Sequence, residues 1–235
     1  MHADVAVVRM DHPRKNALAP RSIEWLARRL DDAGGRPLLL CGTQDAFCAG
    51  LDLLHVAGLA GAEMDSFLRS IDALAVQLAT YPGPTVALVE GHAIAGGCVL
   101  ARACDHAVAR DAPRVRIGVN EVALGVCFPP RILRLMRARL PARHARRVLL
   151  GAELFDPPTA CELGLVDEVS GEPERLARER LERMAAHPAS AVALTKRALA
   201  RGLEADDEDE RRFREELRVW SSDEVRARIR AVLGK

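Results

Sequence analysis

Short apolar runs alternate with stretches of helical period through the first half of the chain, and this alternation limits the fold more than any other feature. Residues 4–10 (DVAVVRM), 37–42 (PLLLCG) and 85–90 (TVALVE) are short and rich in Val and Leu, so they read as strands, the last two buried. Between them, residues 20–33 carry Ile23, Leu26 and Leu30 at helical spacing and stop at Gly34 and Gly35. A second helix is expected over 61–79, broken by the YPGP turn. Strand, helix, strand in this order implies βαβ crossovers and mainly parallel pairing. The pattern further predicts a loop over Thr43–Leu54, a helix starting near Gly96, and strands at 104–109 and 114–117. From Pro129 it turns helical, at 130–138, 142–150 and 157–163, with a short strand at 165–169. Residues 173–233 read as three or four charged, amphipathic helices. The class is therefore α/β with a helical end, and a soft boundary falls near 170–190.

Composition excludes several functions. Lys and Arg number 34 against 33 Asp and Glu, a net charge of +1, so bulk charge gives no reason to expect nucleic-acid binding. Aromatics at 3% supply too few rings for base stacking. The six cysteines (Cys41, Cys48, Cys98, Cys104, Cys127 and Cys161) form no C-x-x-C pair, so no metal site is expected. Several lie in apolar strings, where a free thiol behaves as a small hydrophobe. They read as reduced thiols of a cytoplasmic protein. The opening residues lack a basic segment followed by a long apolar run, and no stretch approaches the ~20 apolar residues of a membrane span. The expectation is a soluble intracellular protein with no membrane partner. No serine has the G-x-S-x-G context of a hydrolase nucleophile. The acidic run at 204–210 reads as a solvated face or a helix start.

Two glycine turns follow strands: Ala49-Gly50-Leu51-Asp52 and Ala95-Gly96-Gly97-Cys98. Glycine allows a tight turn and close approach of a ligand to the backbone. A helix starting at the second turn presents free N–H groups at a positive dipole end. Two such turns on adjacent strands can aim two donors at one oxygen, as an enolate or oxyanion requires. Spacing alone leaves plain strand-to-helix turns open as a reading. A phosphate cradle is a third reading, although neither turn has the Walker lysine or the G-x-G-x-x-G spacing.

The segment AFCAGLDL, followed about 40 residues later by VEGHAIAGGCVLARACDHAVA, resembles the paired signature of the enoyl-CoA hydratase/isomerase (crotonase) superfamily. HPRKNAL resembles the family's first turn, GVNEVALGV its acidic loop, and ACELGLVDEV its late helix and strand. The resemblance spans essentially the whole chain. It implies a spiral of ββα turns over residues 1–175, forming the acyl-CoA-binding catalytic core, and a C-terminal helical trimerisation region over 176–235. A homotrimer or a dimer of trimers is implied. By analogy, the stretch from Arg212 to Lys235 reaches a neighbouring subunit; Trp220 and Val232 folding back on their own chain is the alternative. The oxyanion amides are implied to be those of Leu51 and Gly96. The CoA nucleotide is implied to lie along Ala49, Gly50, Leu51, Asp52 and Leu53, with Lys15 or Arg14 facing its phosphates or simply at the surface. Gly97, Val99, Leu124 and Phe128 complete the implied substrate site, and no cofactor is implied beyond the CoA moiety of the substrate.

Resembling hydratases use two glutamates. One lies three residues after the oxyanion glycine, where this chain has Val99; the other is retained as Glu121. Adding water to a 2-enoyl thioester needs water held and deprotonated while the α-carbon is protonated. Moving a double bond from C3 to C2 needs only one group to take a proton from C2 and return it at C4. The sequence therefore most resembles the 3-enoyl-CoA isomerase branch, which implies a role in fatty acid β-oxidation. Hydration by a displaced acid (Asp52 or Glu63), another crotonase reaction, and acyl-CoA binding without turnover stay open. An apolar surround of Val99, Val122 and Leu124 is expected to raise the pKa of Glu121. Read without the resemblance, Glu121 caps the helix after the strand. Asp52 is expected to satisfy loop amides, Asp105 to anchor a strand end, and His55 and His92 to be structural. Phe128, Leu124, Leu74 and Trp220 are candidates for an acyl pocket or for plain core.

Overall fold

Leu38 and Leu40 pack into one apolar cluster while Leu39 and Cys41, alternating with them, pack into another on the opposite face. A strand buried on both faces belongs to a sheet covered on both sides, the usual setting of parallel pairing. The computed structural model describes residues 4–234. It runs β1 (Ala6–Arg9), a single turn α1 (Pro13–Asn16), α2 (Pro20–Ala33), β2 (Leu38–Cys41), β3 (Ala46–Cys48) and α3 (Leu53–Val56). Then follow α4 (Gly61–Ala79), β4 (Thr85–Val89), β5 (His92–Ile94), α5 (Gly96–Ala103), β6 (His106–Arg110), β7 (Ile117–Gly118) and a 3-10 turn at Val122–Leu124. The rest is α6 (Pro130–Arg139), α7 (Ala142–Gly151), α8 (Pro157–Glu162), β8 (Glu168–Ser170), α9 (Pro173–Ala185), α10 (Ala189–Leu199), α11 (Asp207–Trp220) and α12 (Asp223–Val232).

The five-stranded sheet has the order β1-β2-β4-β6-β8 and the three-stranded sheet the order β3-β5-β7. Every pairing in both is parallel. The chain visits the large sheet, then the small one, then a helical segment, three times over: β2-β3, β4-β5, β6-β7. This is the expected ββα spiral. The expected helices at 20–33 and 61–79 form within their stated limits. The expected loop at 43–54 instead contains β3 and α3, and β5 precedes the helix at Gly96. Three-residue strands carry too little sequence to show a period. The strand expected at 165–169 forms at Glu168–Ser170, because Leu165 and Val166 are buried core residues that precede it.

Helix α9 covers the outer face of the large sheet, with Ala177 and Leu181 against Leu39, Val86, Leu88 and Val108. A division after residue 175 falls inside this helix. Helices α11 and α12 fold back onto their own chain: Phe213, Trp220, Val225 and Ile229 are buried in the main core, while Val232 is exposed. Cys41, Cys48, Cys98 and Cys104 are buried. Among the described residues, no helix is long and apolar enough to cross a membrane.

Asp105 anchors a strand end, as expected: its Oδ2 accepts from the Thr85 amide at 2.8 Å and the Thr85 hydroxyl at 3.0 Å. Lys196 of α10 donates to the same oxygen at 2.6 Å and to the Gly83 carbonyl at 2.8 Å. The Lys196 side chain is buried and that of Asp105 is 11% exposed. Removing one partner of a buried pair strands the other charge, at about 3–5 kcal/mol. Lys196→Met is expected to lose that much stability in denaturant unfolding, and the double change with Asp105→Asn to lose less. A loss for Lys196→Met below about 1 kcal/mol would contradict this linkage.

Candidate active site

Arg14, Lys15 and Asn16 all have left-handed backbone, with φ of 54°, 60° and 59°. For non-glycine residues this costs roughly 1–2 kcal/mol each. The Asn16 side chain offsets it. Its amide donates to the Ala46 and Phe47 carbonyls at 3.0 and 3.2 Å, and its oxygen accepts from the His12 amide at 2.6 Å. The turn is thereby fixed to β3, and the residues after it run beside the first glycine turn. Ala49 N–H donates to the Lys15 carbonyl at 3.0 Å, Leu18 N–H to the Gly50 carbonyl at 2.7 Å, and Asp52 N–H to the Leu18 carbonyl at 2.9 Å. These bonds hold the peptides on both sides of Leu51. Among the described residues, the Leu51 N–H itself has no acceptor.

The second turn is held in a similar way. Ala95 takes φ 50° and ψ −122° and donates its N–H to the Gly118 carbonyl at 2.8 Å. Helix α5 starts at the next residue, and Val99 N–H bonds back to the Ala95 carbonyl at 3.0 Å. The Gly96 N–H, at a helix start, has no acceptor among the described residues. Two glycines permit the contact between the turns. A Cβ on Gly97 would lie 2.0 Å from the Cys48 carbonyl oxygen, and one on Gly50 would lie 2.8 Å from that of Ile94. The same Gly50 position is 3.5 Å from the Gly96 nitrogen, so the turns touch.

Both turns border one cavity of about 250 Å³. It brings together Ala49, Leu51, Leu53, Gly96, Val99, Glu121, Leu124, Phe128 and Trp220. Gly50, Gly97, Asp52 and Lys15 are not in its wall. Asp52 is buried behind the first turn, where it accepts from the Leu54 and His55 amides at 3.1 and 3.4 Å and pairs with Arg14. Lys15 is half-exposed, 3.5 Å from Asp45. Leu74 belongs to the main core and not to this cavity, because it faces the groove between α2 and α4. Glu63 lies in that groove as well. His55 stacks edge-on against Phe67, and His92 Nδ1 accepts from the Arg116 amide at 3.1 Å. Both histidines are occupied structurally.

Glu121 is therefore the one carboxylate in the cavity wall among the described residues. It is 9% exposed, and its Oε2 is buried with no hydrogen-bond partner. It makes no side-chain cap to the 3-10 turn that follows, so capping does not explain it. Burial pushes its pKa up to about 7, against a smaller lowering by its own amide and that of Asn120. Val99, 2% exposed, and Leu124 share the cavity with it, whereas Val122 is 41% exposed and outside it. Val122 thus takes no part in the expected apolar surround, because the 3-10 turn points it outward. Asn120, not anticipated from the sequence, also lines the cavity, with its Oδ1 buried and unpartnered. Its position beside Glu121 was the available signal. The roles of Leu18 and Asn16 had none, since they act through long-range backbone bonds.

The family profile described as "Enoyl-CoA hydratase/isomerase" matches residues 1–230. Over 172 residues the chain is 33% identical to enoyl-CoA delta isomerase 1, mitochondrial, of Mus musculus, covering 71% of this chain and 60% of that protein. The matched stretch thus spans less than two thirds of the mouse protein's length. A putative enoyl-CoA hydratase of Thermus thermophilus is 34% identical over 206 residues, covering 83% of this chain and 80% of that one. The crystal structure of human mitochondrial delta3-delta2-enoyl-CoA isomerase superposes with a TM-score of 0.91 at 27% identity, over 98% of this chain and 93% of that one.

The raised pKa of Glu121 has a consequence for stability. A carboxyl whose pKa rises from 4.5 to about 7 on folding contributes stability that is full below 4.5 and is lost as pH climbs through 7. A shift of that size corresponds to on the order of 3 kcal/mol. Glu121→Gln is expected to match the parent in unfolding experiments at pH 4 and to exceed it at pH 8. Equal stability at both pH values would contradict the burial of a titrating Glu121.

Proposed function

The chain belongs to the enoyl-CoA hydratase/isomerase (crotonase) family, and on that premise we propose that it is a 3-enoyl-CoA isomerase that moves a double bond from C3 to C2 with Glu121 as its acid/base. The observation that carries this reading is the single carboxylate in an otherwise apolar cavity that two free amides border. The thioester oxygen sits between the N–H groups of Leu51 and Gly96. Ionised Glu121 takes a proton from C2, and the negative charge moves onto that oxygen as an enolate. Two fixed donors stabilise it; one such donor contributes ~2.7–4 kcal/mol to a barrier. The carboxyl, now neutral, returns the proton at C4 and the double bond lies between C2 and C3. A pKa of about 7 suits a group that must both take and return a proton near neutrality.

Val99 separates this chemistry from hydration. A valine neither holds nor deprotonates water, and its burial beside Glu121 keeps the α,β-bond dry. The name of the Thermus relative favours a hydratase. That reading needs a second acid, and neither Asp52 nor Glu63 reaches the cavity. The likeness to structures named as isomerases supports the single-acid reading. The CoA nucleotide lies along Ala49–Leu53, with Lys15, whose partner Asp45 is exposed, freer to face its phosphates than Arg14, which pairs with the buried Asp52. A trimer or dimer of trimers, joined through the C-terminal helical region, a cytoplasmic location and a role in β-oxidation complete the proposal.

Pure protein given a 3-enoyl-CoA should yield the 2-enoyl-CoA, with little 3-hydroxyacyl-CoA from a 2-enoyl-CoA, by chromatography of the thioesters. Glu121→Gln should lower turnover by about 10²–10⁴-fold. Since the base must be ionised, kcat/KM should fall about tenfold per unit as pH drops below about 7. Val99→Glu should introduce some hydration. Efficient hydration by the unchanged protein would sink the isomerase reading, and acyl-CoA binding indifferent to Glu121→Gln with no turnover would favour a binding protein.

A further inference from the structure

Helices α4 and α6 border a second cavity near their C-terminal ends. They line the main cavity through Ile71 and Ile132, and the second one through Ala79 and Arg139; the two cavities share no lining residue. The rise from Ile71 to Ala79 along α4 is about 12 Å. The second cavity has a volume of about 360 Å³ and is bounded on its other side by α10 and the loop after it. Among the described residues its wall holds five basic side chains, Arg134, Arg137, Arg139, Lys196 and Arg201, and no carboxylate. Ala79, Leu135 and Leu203, all buried, give it an apolar floor.

Three carboxylates stand behind this wall. Asp209 pairs with Arg134, Asp105 pairs with Lys196, and Glu204 accepts from the Gly202 amide at 2.7 Å. Arg139 comes no nearer than 4.0 Å to Asp105. The side chains of Arg137 and Arg201 are exposed and have no partner among the described residues. Five cations against three carboxylates leave two positive charges unbalanced. The C-terminal ends of α6 and α10 lie here too, and their partial negative charge favours basic residues nearby. That preference accounts for an arginine at each helix end. It does not account for several of them facing one another across a cavity, since unbalanced like charges repel.

We propose that this cavity binds a phosphate monoester with an apolar or aromatic body, its phosphate among Arg137, Arg139 and Arg201 and its body on Ala79, Leu135 and Leu203. A guanidinium presents paired N–H donors that match the oxygens of one oxyanion. A carboxylate offers two oxygens and one charge; a phosphate monoester offers three oxygens and close to two charges. The unbalanced charge and the number of arginines both fit the second. The site is separate from Glu121 and does not depend on the reaction proposed there.

The probe is phenyl phosphate, titrated by calorimetry into the full protein at low salt and about pH 8, where the ester is dianionic. Saturable binding is expected, at least about tenfold tighter than that of methyl phenyl phosphate or benzoate, which carry one charge. Arg137→Ala and Arg201→Ala should each weaken it at least about fivefold, and Arg201→Lys by less. Both arginines are exposed, and native circular dichroism checks that the variants fold. Saturating acyl-CoA should leave the affinity for phenyl phosphate unchanged. Absence of saturable binding, equal binding of the diester, or an affinity indifferent to both alanine substitutions overturns the proposal. Displacement by acyl-CoA overturns it as well, by placing the probe in the main cavity. A protein that binds no acyl-CoA loses the isomerase reading alone, and the first three comparisons still decide this one.

Discussion

The Leu51 amide is free because the Leu18 backbone bonds to the residues on both sides of it. That register depends on Asn16, whose side chain holds three left-handed residues against β3. The strained turn costs several kcal/mol by ordinary conformational preferences. One N–H in a row of bonded ones, that of the cavity-lining Leu51, is left without an acceptor among the described residues. The second amide arises differently, at a helix start, where no preceding helical turn supplies a carbonyl to accept the bond. The two devices meet because glycines at 50 and 97 let the backbones approach within contact. The parallel sheets place both turns at the same end of neighbouring strands, β3 and β5.

The electrostatics of Glu121 follow from the same compactness. A carboxyl this buried, with one oxygen unpartnered, is costly when ionised and comfortable when neutral. The protein gives up stability above neutral pH to keep a carboxyl with that balance, and on the proposed mechanism that group is the base. Hydrogen-bonding it fully would recover the stability and lower its pKa, and with it the ability to return a proton. Val99 extends the same logic by keeping the neighbouring wall apolar.

Much of this was legible in the sequence, and the exceptions have physical causes. Helices α2 and α4 were readable because their apolar spacing is long and their ends carry glycine or proline. The meeting of the two glycine turns and Glu121 at one cavity was readable because each sits in a contiguous motif. Strands β3 and β5 were not, since three residues are paired by tertiary contact and not by propensity. Val122 departs from expectation because adjacency to Glu121 in sequence does not tell which way a side chain points, and Leu74 takes the plain-core reading of the two open to it. Asp52 lies in the first glycine turn in sequence yet behind it in space, and Lys15, of the preceding left-handed turn, stays outside the cavity. Asn16 and Leu18 act on residues some 30 positions away, and nothing local announces that.

The central claim is that one carboxylate carries the proton from C2 to C4. The measurement that tests it most directly is isomerisation of a 3-enoyl-CoA deuterated at C2, with the product's C4 read by mass spectrometry and NMR. A buried shuttle at Glu121 predicts measurable deuterium at C4 in early turnovers and no oxygen added to the product. Complete loss of the label to solvent from the first turnover, together with a hydrated product, would contradict it and point to a second acid and a held water.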